Sequence, residues 1–197
     1  MNMQQVQELL LQSLQHELGG VEVYSTAITC AVNRELRAEW QKYLDETRRH
    51  VAALQEVCQA FSIDQASETP GRGVVRHIGR ALVEAMELAL SAGNPAAAEL
   101  VACECVVLAE TKDHLDWELL GKCAENLEGA GAEALQRAQD EIEDQEDEHL
   151  YHSRGWCREL WLQSLGLSAL LPPPEERQHV KTAVGAAKAE MAAEKLR

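Results

Sequence analysis

Apolar residues recur at intervals of three and four positions along most of this chain, the spacing that places side chains on one face of an α-helix. Breaks in the pattern fall at residues that begin or end helices, such as Asn33, a predicted N-cap, and Gly93-Asn94-Pro95, which closes one helix and opens the next. The pattern predicts five main helices, over residues 3–32, 34–62, 74–92, 95–127 and 132–165. The fold class is therefore expected to be all-α.

The order and length of these segments predict a four-helix bundle. The turn at Asn33 is so short that the first two helices are expected to be antiparallel neighbours. The segment over 74–92 has about 18 residues and spans ~27 Å at ~1.5 Å per residue, which is enough to carry the chain from one end of a bundle to the other. Residues 1–171 are therefore expected to form a bundle with one long helical crossover.

The C-terminal part of the chain differs from the rest in composition. Pro172-Pro173-Pro174 stops the preceding helix, and residues 175–197 are rich in Ala, Lys and Glu. We expect 172–197 to be a Pro-rich hinge followed by an extra C-terminal helix. Its thin apolar stripe leaves three arrangements open: packing on the bundle, contact with another subunit, or fraying.

Composition and charge narrow the range of functions. The 197-residue chain has a net charge of −15, which argues against nucleic-acid and anionic-membrane partners because both require a basic surface. No apolar run approaches the ~20 residues of a membrane span, and the N-terminus lacks the features of a signal peptide. Six scattered cysteines without a Cys-x-x-Cys pair indicate reduced thiols and predict a cytoplasmic location.

The most informative polar residues interrupt the apolar stripe of the last long helix. Glu146 and His149 lie three residues apart within it, so that both are expected to face the partner helices. A carboxylate and an imidazole on such a face need a partner, because burying them alone is costly. Both can reach one cation, and four-helix carboxylate proteins build di-metal sites from this Glu-x-x-His element.

Polar residues on the other three long helices are expected at the same level of the bundle. At ~1.5 Å per residue, Glu17 lies roughly 24 Å from the turn that joins the first two helices, and His50 lies at a similar depth. Glu110 is expected roughly 22 Å from that end, and Glu146 with His149 about 20–24 Å from it. Four helices therefore place side chains that can bind metal in one layer of the core.

Three elements of this layer resemble bacterioferritins and rubrerythrins, and the resemblance covers roughly residues 5–165. Each of the first two elements is a Glu followed seven residues later by an aromatic residue, and the third is the Glu-x-x-His pair. They are Glu17 with Tyr24, Glu110 with Trp117, and Glu146 with His149. The resemblance implies a ferritin-like bundle that holds metal ions between its helices.

The second helix departs from the family pattern. A second Glu-x-x-His would be expected there, but Thr47 stands three residues before His50, and Glu46 stands four before it. Glu46 still shares a helix face with His50, although it projects toward the side of the stripe. His114 is an additional histidine that could compensate. The predicted site is therefore a di-metal site of altered geometry, a mono-metal site or a decayed one.

Oxygen and nitrogen ligands without thiolates suit iron or manganese. Two ions are expected, and one ion is the alternative. The resemblance implies the following roles: terminal carboxylates from Glu17 and Glu110, a bridging carboxylate from Glu146 or Glu46, and terminal nitrogens from His50 and His149. It further implies oxidation of iron, reduction of peroxide or oxidation of a small substrate, and hence metal ions and a small oxidant as partners.

A second class of function is a scaffold or interaction protein without metal. In that case the buried Glu and His groups would form a satisfied hydrogen-bond network that fixes the register of the helices. The altered pair on the second helix and the extra C-terminal helix fit this alternative. Assembly into a homo-oligomer, a dimer or larger, is compatible with either class.

Overall fold

The computed structural model covers residues 1–197 and contains seven helices and no strand. The predicted all-α fold class is confirmed. The helices are α1 Met3–Cys30, α2 Arg34–Ala60, α3 Pro70–Ser91, α4 Pro95–Asn126, α5 Ala130–Ser164, α6 Pro174–Arg177 and α7 Ala183–Glu194. None of them combines the length and apolar character that crossing a lipid bilayer requires.

Side-chain caps define where the helices begin. The side-chain oxygen of Asn33 accepts hydrogen bonds from the backbone N–H groups of Glu35 and Leu36, and the side-chain oxygen of Asn94 accepts one from Ala97 at the start of α4. The predicted start of α3 at residue 74 is wrong by four positions. Thr69 caps α3 and Pro70 is its first residue, because proline fixes a helical φ and needs no hydrogen-bond acceptor there.

Four long helices form a bundle in which each packs against two neighbours. α1 contacts α2 and α4, and α5 contacts the same two helices from the opposite side. α3 lies outside this group and packs against α1 and α4. The backbones of α1 and α3 come close at Gly19 and Gly79, where a Cβ on Gly79 would lie 3.7 Å from the Gly19 Cα. α3 thus returns the chain along the outside of the bundle before α4 begins.

Two apolar clusters fill the bundle, one on each side of a polar layer. One contains 18 buried residues, among them Trp40, and the other contains 13, among them Trp117. On α1, Leu14 belongs to one cluster and Val23 to the other, and the buried carboxyl of Glu17 lies between them. The apolar halves hold the helices together, so that the layer between them can be polar.

The C-terminal segment packs against α5. Val180 and Ala189 are buried in a small cluster with Leu150 and Tyr151. The expectation of one helix over 175–197 is wrong, since the segment forms two helices separated by His179, whose φ is +49°. A residue in this left-handed conformation cannot continue a right-handed helix.

Gly131→Ala is expected to destabilise the junction of α2 and α5. A Cβ at position 131 would lie 2.7 Å from the Phe61 ring, whereas a Cβ on Gly73 in α3 would meet no atom within 4 Å. Both substitutions gain the same helix propensity, so Gly131→Ala should have a free energy of unfolding about 1–3 kcal/mol below that of Gly73→Ala because of overpacking. Urea denaturation measures the difference, and equal midpoints would contradict this packing.

Candidate metal centre

The polar layer contains two carboxylate–imidazole groups that share Glu146. In the first, the Nδ1 atom of His50 lies 2.9 Å from Glu146 Oε1 and 3.4 Å from Glu17 Oε1. In the second, the Nδ1 atom of His149 lies 3.5 Å from Glu110 Oε2 and 3.6 Å from Glu146 Oε1. Within each group, one ligand atom from every residue lies within 4.8 Å of the others. The layer thus offers two adjacent three-ligand sets with one carboxylate in common.

Glu17 and Glu110 are each held by an aromatic residue from the other's helix. The Trp117 indole N–H donates to Glu17 Oε1 at 2.9 Å, and the Tyr24 hydroxyl donates to Glu110 Oε1 at 2.7 Å. The aromatic residue seven positions after each glutamate therefore binds the other glutamate, because α1 and α4 run antiparallel. In Glu110 the other oxygen, Oε2, is the one nearest His149, whereas in Glu17 the oxygen that accepts from Trp117 is also the one nearest His50.

Each imidazole is held through its outer nitrogen. His50 Nε2 lies 3.2 Å from the side-chain oxygen of Gln145, and His149 Nε2 lies 2.9 Å from Glu46 Oε2. Because these partners accept hydrogen bonds, each imidazole carries a proton on Nε2 and turns Nδ1 toward the carboxylates. An acceptor on the outer nitrogen is the usual way in which proteins orient a histidine ligand of a metal.

Several buried polar atoms of this layer have no hydrogen-bond partner or only a distant one. Glu17 Oε2 and Glu146 Oε2 have none, and Glu110 Oε2 has only His149 Nδ1, at 3.5 Å. Glu146 Oε1 has His50 Nδ1 at 2.9 Å. Buried polar groups in proteins are almost always paired, so such a concentration requires an explanation. A cation within the layer would satisfy these atoms, since all of them can act as ligands of a transition metal. The donor set therefore fits a metal centre.

Burial and charge together change the pKa values of the layer. Burial raises the pKa of Glu146 to about 7, despite the favourable effect of His149 and His50 on its charged form. Burial alone would lower the pKa of His149, but the carboxylates of Glu146 and Glu110 outweigh it and raise that pKa to about 9. The layer therefore retains protons near neutral pH, and a divalent cation would compete with them for the same atoms.

Glu46 and His114, two of the sequence-predicted ligands, lie outside the two carboxylate–imidazole groups. Glu46 lies at the edge of the layer, where one of its oxygens contacts His149 Nε2 and the other lies 3.6 Å from Arg49. Thr47 is buried against Gly20, so α2 contributes only one ligand, His50, to the two groups.

His114 lies outside the shared cluster. Its Nδ1 atom is 3.3 Å from Asp147 and its Nε2 atom is 3.6 Å from Glu118. The other five predicted ligands come together: Glu17, His50, Glu110, Glu146 and His149. His114 therefore faces a different part of the α4–α5 interface, closer to solvent.

Sequence analysis missed Asp113, which is buried on α4 with one oxygen unpaired. Burial, followed by the negative charges of Glu146 and Glu17, raises its pKa well above the usual range. Asp113 follows Glu110 by three residues, the same spacing that marked Glu146 and His149, so the signal was present in the sequence.

His152 is also buried beside the layer, with Nδ1 3.0 Å from the Tyr43 hydroxyl. The reason is its helical position. It follows His149 by three residues and shares the inward face of α5. Tyr43 in turn packs its ring against the His149 imidazole, with 4.1 Å between the ring centroids. This polar pair therefore supports the layer from one side.

Comparison with known proteins assigns no family to this chain. No protein-family model, no curated protein and no solved structure matches it. The chemistry of the layer is therefore argued from its own residues.

Asp113→Asn is expected to stabilise the chelator-treated protein, and more so at high pH. In the unfolded chain an Asp releases its proton above a pKa of about 3.9, whereas the folded protein holds the pKa of Asp113 well above that value. Folding therefore becomes less favourable as the pH rises, and the amide removes this loss. Urea denaturation at about pH 5 and about pH 8 measures the effect. Asp140→Asn, at an exposed position, is the control. An equal gain in the free energy of unfolding at both pH values would contradict the raised pKa of Asp113.

Proposed function

We propose that this protein is a ferritin-like metal protein that binds two ions of iron or manganese within the polar layer. The observation that carries the proposal is the pair of ligand groups that share Glu146, together with the unpaired buried atoms that face them. The bundle with α3 returning along its outside also supports the ferritin-like assignment, because folds of that type have one long crossover.

The five ligands divide into two half-sites of the same composition. Glu17 and His50 would hold one ion, and Glu110 and His149 would hold the other. Glu146 would bridge the two ions, because it belongs to both groups. Oxygen and imidazole ligands favour iron or manganese, and burial of the cysteines raises their pKa values, so that thiolates are poor alternatives there.

Residues around the ligands would keep the ions reactive and protected. When bound, two such ions would supply the electrons for reactions with dioxygen or peroxide. Trp117 and Tyr24 hold the terminal carboxylates in place by hydrogen bonds, and the apolar clusters above and below the layer exclude bulk water. Thr47 stands where the ferritin-like pattern has a second Glu before the histidine. The two ions would therefore have fewer protein ligands, which would leave room for a small oxidant to bind.

The scaffold alternative requires that the same buried residues pair with one another. A structural network without metal should satisfy its buried donors and acceptors, since unpaired groups in a low-dielectric interior are costly. Glu17 Oε2 and Glu146 Oε2 are buried without a partner and Glu110 Oε2 has only a distant one, which argues against such a network. A metal centre explains them, because a cation would serve several oxygens and nitrogens at once. The proposed activity is therefore oxidation or reduction of iron, peroxide or dioxygen at this centre.

The first test is metal content after anaerobic reconstitution with iron or manganese. We expect about two ions per chain, in line with the two-ion sites that such bundles hold, measured by plasma mass spectrometry after desalting. Glu146→Ala with His149→Ala should abolish binding and leave the helical circular dichroism largely unchanged. His114→Ala is the matched control, because it removes a histidine outside the shared cluster and should retain both ions.

The outcomes of this test separate the alternatives. One ion per chain would indicate that a single half-site works. No ion after reconstitution would reject the metal proposal in favour of the scaffold, and retention of both ions by the double variant would reject the ligand assignment.

Tyr24→Phe is expected to weaken metal binding without abolishing it. Loss of the hydrogen bond to Glu110 frees that carboxylate to rotate, and losing such an orienting partner typically costs about 10–100-fold in affinity. Metal should also raise the thermal midpoint of the wild type by linkage, and raise that of Tyr24→Phe less at the same metal concentration. Calorimetric titration measures the affinity. Tyr151→Phe is the control, and an unchanged affinity for Tyr24→Phe would contradict the role of Tyr24.

A further inference from the structure

A cavity of about 210 Å³ lies between α4 and α5 and reaches the polar layer. Glu146, which is only 1% exposed and whose Oε2 atom has no partner, forms part of its wall. Exposed Glu118 and Glu143 line the same cavity. Four larger cavities, of about 270–550 Å³, are lined by none of the five ligands of the layer, although two of them share lining residues with this one. This cavity therefore connects the shared carboxylate with the surface.

The lining of this cavity favours cations. Four carboxyl groups line it, from Glu118, Glu143, Glu146 and Asp147, and no lysine or arginine does. Charges of one sign in a cleft with low-dielectric walls concentrate ions of the opposite sign and speed their arrival. The net charge of −15 on the whole chain acts in the same direction. A divalent metal ion is the class of ligand that this electrostatic arrangement selects.

His114 lies within the cavity between two carboxylates. Its Nδ1 atom is 3.3 Å from Asp147 and its Nε2 atom is 3.6 Å from Glu118. The side chains of His114 and Asp147 are about one-fifth exposed, at 20% and 19%, so solvent reaches them while the metal ligands are closed off. An imidazole beside a carboxylate is a pair that a divalent transition metal can bind.

We propose that this cavity is the access route for divalent metal ions to the polar layer, and that ions contact His114 and Asp147 in transit along it without remaining there. This inference rests on the proposed metal-binding function of the layer. An ion attracted by Glu118 and Glu143 passes His114 and Asp147 and then reaches Glu146. Asp147 follows Glu146 directly and precedes His149 by two residues, so one turn of α5 carries both a residue of the route and two of the proposed metal ligands.

The C-terminal segment forms part of the opening of this route. Thr182 and Ala183, at the start of α7, line the cavity. α7 is kept in place by the burial of Val180 and Ala189 against α5. A larger side chain at position 183 should therefore narrow the opening without altering any charge or any ligand of the layer.

The route is tested by the rate at which the full-length protein takes up Co²⁺. Trp117 lines the cavity and donates to Glu17, so its fluorescence should be quenched as Co²⁺ reaches the layer, and anaerobic stopped-flow mixing follows the rate. Glu118→Gln with Glu143→Gln removes the outer charges. Glu56→Gln with Glu141→Gln is the matched control, because it removes two exposed carboxylates from a different cavity, between α2 and α5. Ala183→Leu tests the opening by size alone.

If the cavity is the route, the variants should take up Co²⁺ more slowly than the wild type and reach the same final Co²⁺ content. Glu118→Gln with Glu143→Gln should load roughly tenfold more slowly, a factor within the range of electrostatic steering, and Ala183→Leu should also load more slowly. Both should bind as much Co²⁺ at equilibrium as the wild type, by plasma mass spectrometry, and the Glu56/Glu141 control should load at the wild-type rate.

Two kinds of result would overturn the route. Wild-type rates in Glu118→Gln with Glu143→Gln and in Ala183→Leu, or equal slowing in the control, would reject this path while leaving the metal centre intact. A wild-type protein that binds no Co²⁺, iron or manganese would reject the centre and the route together.

His114→Ala should slow Co²⁺ uptake and keep the equilibrium Co²⁺ content. A loss of bound Co²⁺ would make His114 a ligand instead of a residue of the route.

Discussion

Burial of the carboxyl groups of Glu17, Glu110 and Glu146 in one layer is the constraint on which the rest of this structure depends. Carboxylates that leave water need compensation from protons, hydrogen bonds or cations. Here the imidazoles of His50 and His149 supply part of it, and hydrogen bonds from surrounding residues supply another part. The unpaired atoms that remain define the space in which we place the metal ions.

The layer can exist because the apolar clusters on each side of it hold the four long helices in register. A shift of one helix by a single turn, about 5.4 Å, would separate the two ligand groups. Trp117 and Tyr24 link α1 to α4 by reciprocal hydrogen bonds and so fix this register within the layer itself. The same bonds orient the glutamates, so that stability and site geometry have a common origin.

The two half-sites of the proposed centre differ in what surrounds them, although the residues that would hold each ion have the same composition. His149 is backed by a carboxylate from Glu46, whereas His50 is backed by the neutral amide of Gln145. A charged acceptor makes the imidazole a stronger electron donor than a neutral one does. The two ions of the proposed centre would therefore not be equivalent, and the ion held by His149 would lie in the more electron-rich half-site.

The sequence by itself determined the all-α class and the five main helices to within a few residues. It also determined the level at which Glu17, His50, Glu110, Glu146 and His149 would be found, because helical periodicity and a fixed rise per residue relate position in the chain to position along a bundle. Only the tertiary structure decided that Glu46 supports His149, that His114 faces a separate cavity, and that the C-terminal segment packs on α5. Those outcomes depend on the rotation of each helix about its axis and on contacts between residues distant in the chain. Rotations of a few tens of degrees move a side chain from the layer to its edge, and a one-dimensional pattern does not fix them.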